Sequence, residues 1–518
     1  MKRYWMLVVL LAAGAALFLR LPYLERRPMH NDEAVNAIKF GRLWEGAGYK
    51  YDPNEHHGPT LYYATLALGR LTLAPNFDRY SDARLRLVTV LFGAGMLLLL
   101  PLVYDGLGRQ GTAWAAVLFA CSPAFVFYSR YFIHEMLLAF FTLLAIGAGW
   151  RYWRAPRLIW ALLAGVSVGL MDATKETFAL TVGAAALALL LNAAWARFLE
   201  PGSRQKCART WNRWHLVAAF AAWLVVALLF FTSFFTNAAG PLDSLRSYQP
   251  WLNRAGGDSP HIHPWHFYLH RLLFFRAGAG PIWTEAPILM LAAVGAIAGF
   301  RRKGVADVSP AWITFLAFYS LILTAGYSVL GYKTPWCLLS FWQGIILLAG
   351  VGAAVLIGST KPGLARAALT ALLVAGAGHL AWQSWQLGTT YAADRRNPYV
   401  YAQTSADISK LVRRVEELVE VAPQGHNTLI KVICPEADYW PLPYYLRDCK
   451  QIGWWDALPP DPFAPLMIVS AQLHAALEEK KTHLMVGYFE LRPQVFLELY
   501  VEKSLWIDWL AKHPPQTE

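Results

Sequence analysis

The chain holds 518 residues, of which 56% are hydrophobic, 14% aromatic and only 15% charged, and its mean hydropathy is +0.33. Soluble domains carry about 25% charged residues, and disordered chains combine high charge density with few apolar side chains. Both classes are excluded, which leaves a multispanning membrane protein. The net charge of +12 would point to nucleic acid in a soluble protein, but in a membrane protein the placement of the charges decides.

Eleven segments are long and apolar enough to cross a hydrocarbon core of about 30 Å: near 5–21, 85–104, 112–128, 133–150, 158–174, 177–195, 215–236, 282–300, 311–330, 336–357 and 367–388. The first follows Lys2 and Arg3 as a signal peptide would, but Arg20-Leu21-Pro22-Tyr23 is too bulky for a cleavage site, so it reads as an anchor. With a cytoplasmic N-terminus, the inner loops 1–4, 104–111, 151–157, 196–214, 301–309 and 360–366 hold 16 Lys and Arg against three acids. That balance accounts for the whole net charge, so the basicity is topological and nucleic acid drops out as a partner.

The same threading puts 22–84, 237–281 and everything after 389 on the outer side. The expected fold is an all-α polytopic membrane bundle of about 11 transmembrane helices over 1–388, followed by a small soluble extracytoplasmic α/β domain over 389–518. In the first outer loop, Ala34, Val35, Ile38, Phe40, Leu43 and Trp44 form a helical stripe over 32–45, with Asn31 or Asp32 as N-cap. Leu61 to Leu73 is a second apolar stretch, and both predict helices lying in the membrane interface, at about 31–73. Beyond 389, Ser405 to Val421 predicts an amphipathic helix. Thr428 to Cys434, Leu466 to Ser470 and His483 to Phe489 predict strands, and Val495 to Leu510 a last helix. Five cysteines make no disulfide framework; Cys434 and Cys449 read as free thiols, with pairing as the alternative.

The polar islands sit between the spans. Asp32 and Glu33 suit a helix start, where acids satisfy free N–H groups, or a base to which a nucleophile is handed at the membrane surface. His56-His57-Gly58-Pro59 reads as a turn, or as donors to a phosphate. In the short loop Ser129 to Glu135, snorkelling explains Arg130, whereas Glu135 opening an apolar helix is costly; His134 lies between them. Lys175, within Asp172-Ala173-Thr174-Lys175-Glu176, either pairs with Asp172 or Glu176 or faces a bound phosphate. Tyr332-Lys333-Thr334-Pro335-Trp336 adds another lysine, a snorkelling residue on the bland reading. His261, His263, His266 and His270 fall short of a zinc site and read as phosphate-facing or interfacial, with His266 and His270 on one helix face.

Acids and cations are thus expected at one membrane face, which suits transfer of a sugar from a lipid phosphate. The phosphate is already a good leaving group and needs cations or N–H donors, while the acceptor hydroxyl needs one carboxylate as general base. A glycosidase would instead need two carboxylates flanking the bond.

These residues resemble a known pattern. The Asp-Glu pair after the first span, His57-Gly58-Pro59-Thr60-Leu61-Tyr62-Tyr63, an Arg and an acid before the fourth span, Thr174-Lys175-Glu176, and Lys333-Thr334-Pro335-Trp336 resemble the GT-C glycosyltransferases. Among them the chain looks like the protein O-mannosyltransferases and the lipid A aminoarabinose transferases. The stretch from His30 to Asn36 and on from Tyr49 to Thr60 is more similar to the prokaryotic flippase-activity-associated membrane proteins. The resemblance implies an inverting glycosyltransferase that takes sugar from a polyprenyl phosphate on the outer membrane face. It implies Asp32 as catalytic base, with Glu33 and Glu135 as further acids; relatives often have Asp at the position of Glu135. His57, Lys175, Lys333 and Arg130 would hold the donor phosphate, and His56, His134, Tyr332, His263 and His266 are candidate donor or acceptor contacts. The partners are membrane lipid, the polyprenyl-phosphate donor and a glycan, lipid or protein acceptor. Some GT-C enzymes use a divalent ion, but these residues name no metal site and no cofactor. The rival reading is a flippase or transporter subunit without chemistry, which tends to carry internal repeats and mid-membrane charges. A third is a scaffold whose terminal domain binds a partner.

Overall fold

The computed structural model describes residues 4–54, 57–199, 212–256, 259, 261–302, 307–475 and 477–514. Among them, seven helices have the length and apolar character to cross a bilayer: Asp82–Leu102, Glu135–Arg154, Phe178–Leu199, Arg213–Phe231, Pro310–Val329, Pro335–Ser359 and Leu364–Gly388. Arg109–Cys121 and Pro123–Ser129 add an eighth if the pair, bent by 55°, is one span. Three further expected spans are apolar helices of lesser length, Tyr4–Arg20, Leu158–Asp172 and Ala286–Arg301. By length, then, seven or eight of the eleven expected crossings are met.

The chain packs as two compact units. One comprises Met1–Leu24, Gly46–Leu73 and Ala83–Tyr401, and the other Glu25–Glu45, Ala74–Asp82 and Ala402–Glu518. We call them the membrane unit and the sheet unit.

At the centre of the membrane unit lies the Pro335–Ser359 helix, whose face from Leu339 to Ala353 is buried throughout. Small residues let its neighbours come close. A Cβ on Gly352 would stand 1.8 Å from the Leu291 carbonyl oxygen, and one on Gly350 would stand 2.4 Å from that of Gly111. Such backbone approach replaces the hydrophobic drive that helices lack within lipid. By contrast, Leu364–Gly388 leaves Leu364, Leu372 and Val374 exposed, as a lipid-facing helix does. The bend before Pro123 follows from Ser122, held extended by the proline after it. The opened backbone is satisfied by Glu285, which accepts the Ala124 N–H at 2.8 Å and the Ser122 hydroxyl at 2.5 Å.

The sheet unit is built on β1 (Ile430–Ile433), β2 (Ile452–Trp455), β3 (Leu466–Ser470), β4 (His483–Arg492) and β5 (Val495–Glu502), in the order β2-β1-β3-β5-β4. β1 runs parallel to β2 and β3, and β5 antiparallel to β3 and β4. The Ile408–Val421 helix buries Ile408, Leu411, Val415 and Leu418 against Ile430, Val432 and Ile468. One expectation fails here: Val495 to Leu510 is not one helix. It divides into β5 and the helix Lys503–Lys512, because Leu497, Leu499 and Val501 alternate inward at the strand period of two. Cys434 and Cys449 are both free thiols.

Candidate active site

In the sheet unit, the Asn31–Trp44 helix begins with a reciprocal cap. The His30 Nδ1 accepts the Asp32 N–H at 3.1 Å, and the Glu33 carboxylate accepts the His30 N–H at 2.9 Å. The N-cap is therefore His30, where Asn31 or Asp32 was expected, because the imidazole supplies the acceptor that a carboxylate usually gives. The two acids then part ways. Glu33 is fully buried, and its oxygens receive the Arg27 guanidinium at 2.7 and 3.1 Å. Both oxygens are engaged by protein donors. The Asp32 side chain is 48% exposed, with the His30 ring nitrogen 3.9 Å away.

The membrane unit gathers three sequence-distant loops. Gly58 and Thr60 donate their N–H groups to the carbonyls of Thr174 and Ala173, and the Thr60 and Thr174 hydroxyls meet at 2.7 Å. Only glycine permits this approach, since a Cβ at 58 would lie 2.1 Å from the Ala173 oxygen. His134 joins the same loop through Nε2 and the Gly58 carbonyl at 2.9 Å. Lys175 turns one way, to Glu135, in a buried ion pair. Glu176 turns the other, to His57 at 2.8 Å and to the Tyr51 hydroxyl at 3.2 Å. Neither expected partner of Lys175 is correct: Asp172 accepts from the Trp223 indole at 2.9 Å instead. Burial works against the Lys175 ammonium, but Glu135 more than offsets it and raises the pKa. Burial likewise works against the Glu176 carboxylate, and His57 overcomes it and holds the pKa below the ordinary value.

Arg130, expected at the donor phosphate, gives four N–H groups to the backbone carbonyls of Arg20, Pro22, Tyr23 and Gly388, at 2.7 to 3.2 Å. It clasps the ends of two helices. Its fork geometry suits that task, and little of the guanidinium is left for a ligand.

A second polar cluster forms where 261–271 meets 331–336 and 399–401. The Ile262 and Tyr332 backbones pair as an isolated bridge, and the His261 ring lies 5.0 Å from that of Tyr332. The Tyr401 hydroxyl contacts His261 Nδ1 at 2.6 Å and His263 Nε2 at 2.8 Å. Lys333 reaches the carbonyls of His263 and Leu330. Arg271 lies over the Phe267 ring at 3.6 Å and makes one long hydrogen bond, 3.4 Å, to the Phe267 carbonyl. Its Nε is buried without a partner. Among the described residues neither Arg271 nor Lys333 has a carboxylate within ion-pair distance. Burial lowers the pKa of both. Burial and then the nearby Arg271 push His263 down to about 4, so its ring is neutral at pH 7. His266 stands at the N-cap position of the Phe267–Leu273 helix without a side-chain cap bond, its ring 5.5 Å from that of Trp265. His56 lies outside the described residues, and among those described no three His, Cys, Asp or Glu side chains could hold a metal.

Sequence reasoning passed over Arg271, although a signal was present: between Asp258 and Glu285 the chain holds no acid, while its basic and imidazole groups accumulate. It also passed over Glu285, which further accepts from the Trp342 indole at 3.1 Å and the Tyr399 hydroxyl at 2.5 Å.

Residues 74–239 match the family described as dolichyl-phosphate-mannose-protein mannosyltransferase. ArnT from Cupriavidus metallidurans, solved bound to undecaprenyl phosphate, superposes with a TM-score of 0.60 at 14% identity, covering 98% of this chain and 99% of that one. The Archaeoglobus fulgidus oligosaccharyltransferase gives 0.53 at 12% identity over 87% of this chain and 64% of its own. The mycobacterial arabinofuranosyltransferase AftD gives 0.50 at 16% identity over 97% of this chain and 40% of its own. No curated protein sequence matches the chain. The fold is the one these solved membrane enzymes share. The segment that matches the mannosyltransferase family begins after the Asp32–Glu33 pair.

Proposed function

We propose that this chain is an inverting membrane glycosyltransferase, multi-pass in the cell membrane with a cytoplasmic N-terminus, that moves a sugar from a polyprenyl phosphate to an acceptor hydroxyl on the outer face. Asp32 takes the hydroxyl proton as the acceptor oxygen bonds to the anomeric carbon. The carbon–oxygen bond to phosphate breaks, and its electron pair leaves with the polyprenyl phosphate. Lys333 and Arg271 stabilise that departing charge; the resemblance assigns this role to Lys333 together with His57, Lys175 and Arg130. The observation that carries this reading is the buried Lys333 and the half-buried Arg271, whose Nε is sealed from solvent, both without a carboxylate partner among the described residues, beside a neutral His263 and the Tyr401 hydroxyl. A buried charge left unmatched by protein is costly unless a ligand completes it. The solved ArnT supports the donor class, since its own ligand is undecaprenyl phosphate.

The test uses the full chain in lipid nanodiscs, offered a panel of polyprenyl-phosphate sugars with candidate acceptors. Release of polyprenyl phosphate should fall by about 10²- to 10⁴-fold in Asp32→Asn, while undecaprenyl phosphate still binds. Undiminished release in that variant would remove Asp32 from the role of base. A flippase subunit would release none from the unaltered chain either.

A further inference from the structure

Asp32 stands one residue from a buried network that no reaction step uses. Arg27 is bidentate to Glu33 and also donates to the Gln403 side-chain oxygen at 3.3 Å. Gln403 returns its amide N–H to the Pro28 carbonyl at 3.1 Å, and the Thr404 hydroxyl donates to the Met29 carbonyl at 2.7 Å. The Met29 N–H is taken by the Tyr445 hydroxyl at 2.7 Å, which in turn donates to Asp82 at 3.0 Å. The residues leading to the helix are therefore held from both sides, by 403–404 and by 445, and Glu33 fastens the first turn through the His30 N–H. Arg27, Glu33 and Gln403 are all buried, at 5%, 0% and 4% exposure.

Such a network does more than cap a helix. A serine, threonine or aspartate cap would satisfy the same N–H groups on the surface without a buried ion pair. A buried guanidinium–carboxylate pair adds little net stability over apolar packing, yet it fixes geometry, because both forks must align. What it fixes here is the direction in which residue 32 leaves the first helical turn.

We infer that Arg27, Glu33 and Gln403 are positioning residues that set the Asp32 carboxylate, through which the sheet unit governs the turnover rate. The inference rests on Asp32 being the base. Glu33 acts through the His30–Asp32 turn and never meets the sugar.

The experiment compares Glu33→Gln, Gln403→Ala, Arg27→Lys and the swap Arg27→Glu/Glu33→Arg with Asp32→Asn, all as full-length protein in nanodiscs. The readouts are kcat and donor KM for polyprenyl phosphate release, and amide hydrogen exchange over residues 27–36. Glu33→Gln and Gln403→Ala should lower kcat by about ten- to a hundredfold with donor KM within about twofold, and should speed exchange at 30–34. The swap keeps an ion pair but leaves the His30 N–H without its acceptor, so the loss in kcat should persist. Should Glu33→Gln fail to fold, Gln403→Ala carries the test, since it leaves the ion pair whole. Wild-type kcat in both variants, or a loss confined to KM, overturns the inference. Wild-type turnover in Asp32→Asn removes Asp32 from the role of base and with it the ground of this inference, while amide exchange still reports whether the network holds the turn.

Discussion

Two polar regions of the membrane unit contain similar side chains and differ in how their charges are matched. Around residues 57–60, 134–135 and 174–176, each buried charge has a protein partner: Lys175 has Glu135, and Glu176 has His57. Around 261–271 and 333, the cations Arg271 and Lys333 meet carbonyls and a ring but, among the described residues, no carboxylate. A closed set of charges is a staple, and an open set is a place for an anion. The difference separates residues that hold loops together from residues that await a ligand, a distinction that charge alone would miss.

The comparison breaks first at Lys175. Lys175→Met strands the Glu135 carboxylate in a buried site, and unfolding in detergent should show a loss of about 3–5 kcal/mol. The double variant with Glu135→Leu should return most of it; a single variant as stable as the parent would dissolve the staple. Next comes Arg271. Arg271→Gln should weaken undecaprenyl phosphate binding about ten- to a hundredfold, the worth of one charge-assisted hydrogen bond. Stability of the lipid-free protein should hold or rise, since a half-buried cation without a counter-charge is gone. Unchanged affinity would make the open region merely structural.

The smallest effect sharpens the contrast. His263, held at about 4 against an ordinary 6.5, binds fewer protons folded than unfolded between those values. Stability should therefore fall as the pH drops through that window, and His263→Gln should flatten the slope of melting temperature against pH. An identical slope in the variant would show that the titrating group lies elsewhere.

Much of the fold was legible because hydrocarbon imposes one length on every crossing. The expected segments 158–174 and 177–195 fall on Leu158–Asp172 and Phe178–Leu199 for that reason. The loop motifs were legible as chemistry, but their partners were not. Lys175 and Glu135 are 40 residues apart and His57 and Glu176 are 119 apart, and only packing decides such pairings. The sheet suffered from shortness: β2 offers only Ile452-Gly453-Trp454-Trp455, and β5 runs without a break into the helix that follows it. Arg271 stayed hidden because an arginine among histidines and aromatics reads as an interfacial anchor, and nothing local shows that it lacks a counter-charge.

The composition of the sheet unit has a consequence for biosynthesis. Residues 25–45 leave the ribosome early, yet the groups that grip them, Gln403, Thr404 and Tyr445, are made after the last apolar helix. Until then the turn bearing Asp32 is held only from within, by the Arg27–Glu33 pair and the His30 cap, and lacks the second grip that residues 403–404 and 445 supply.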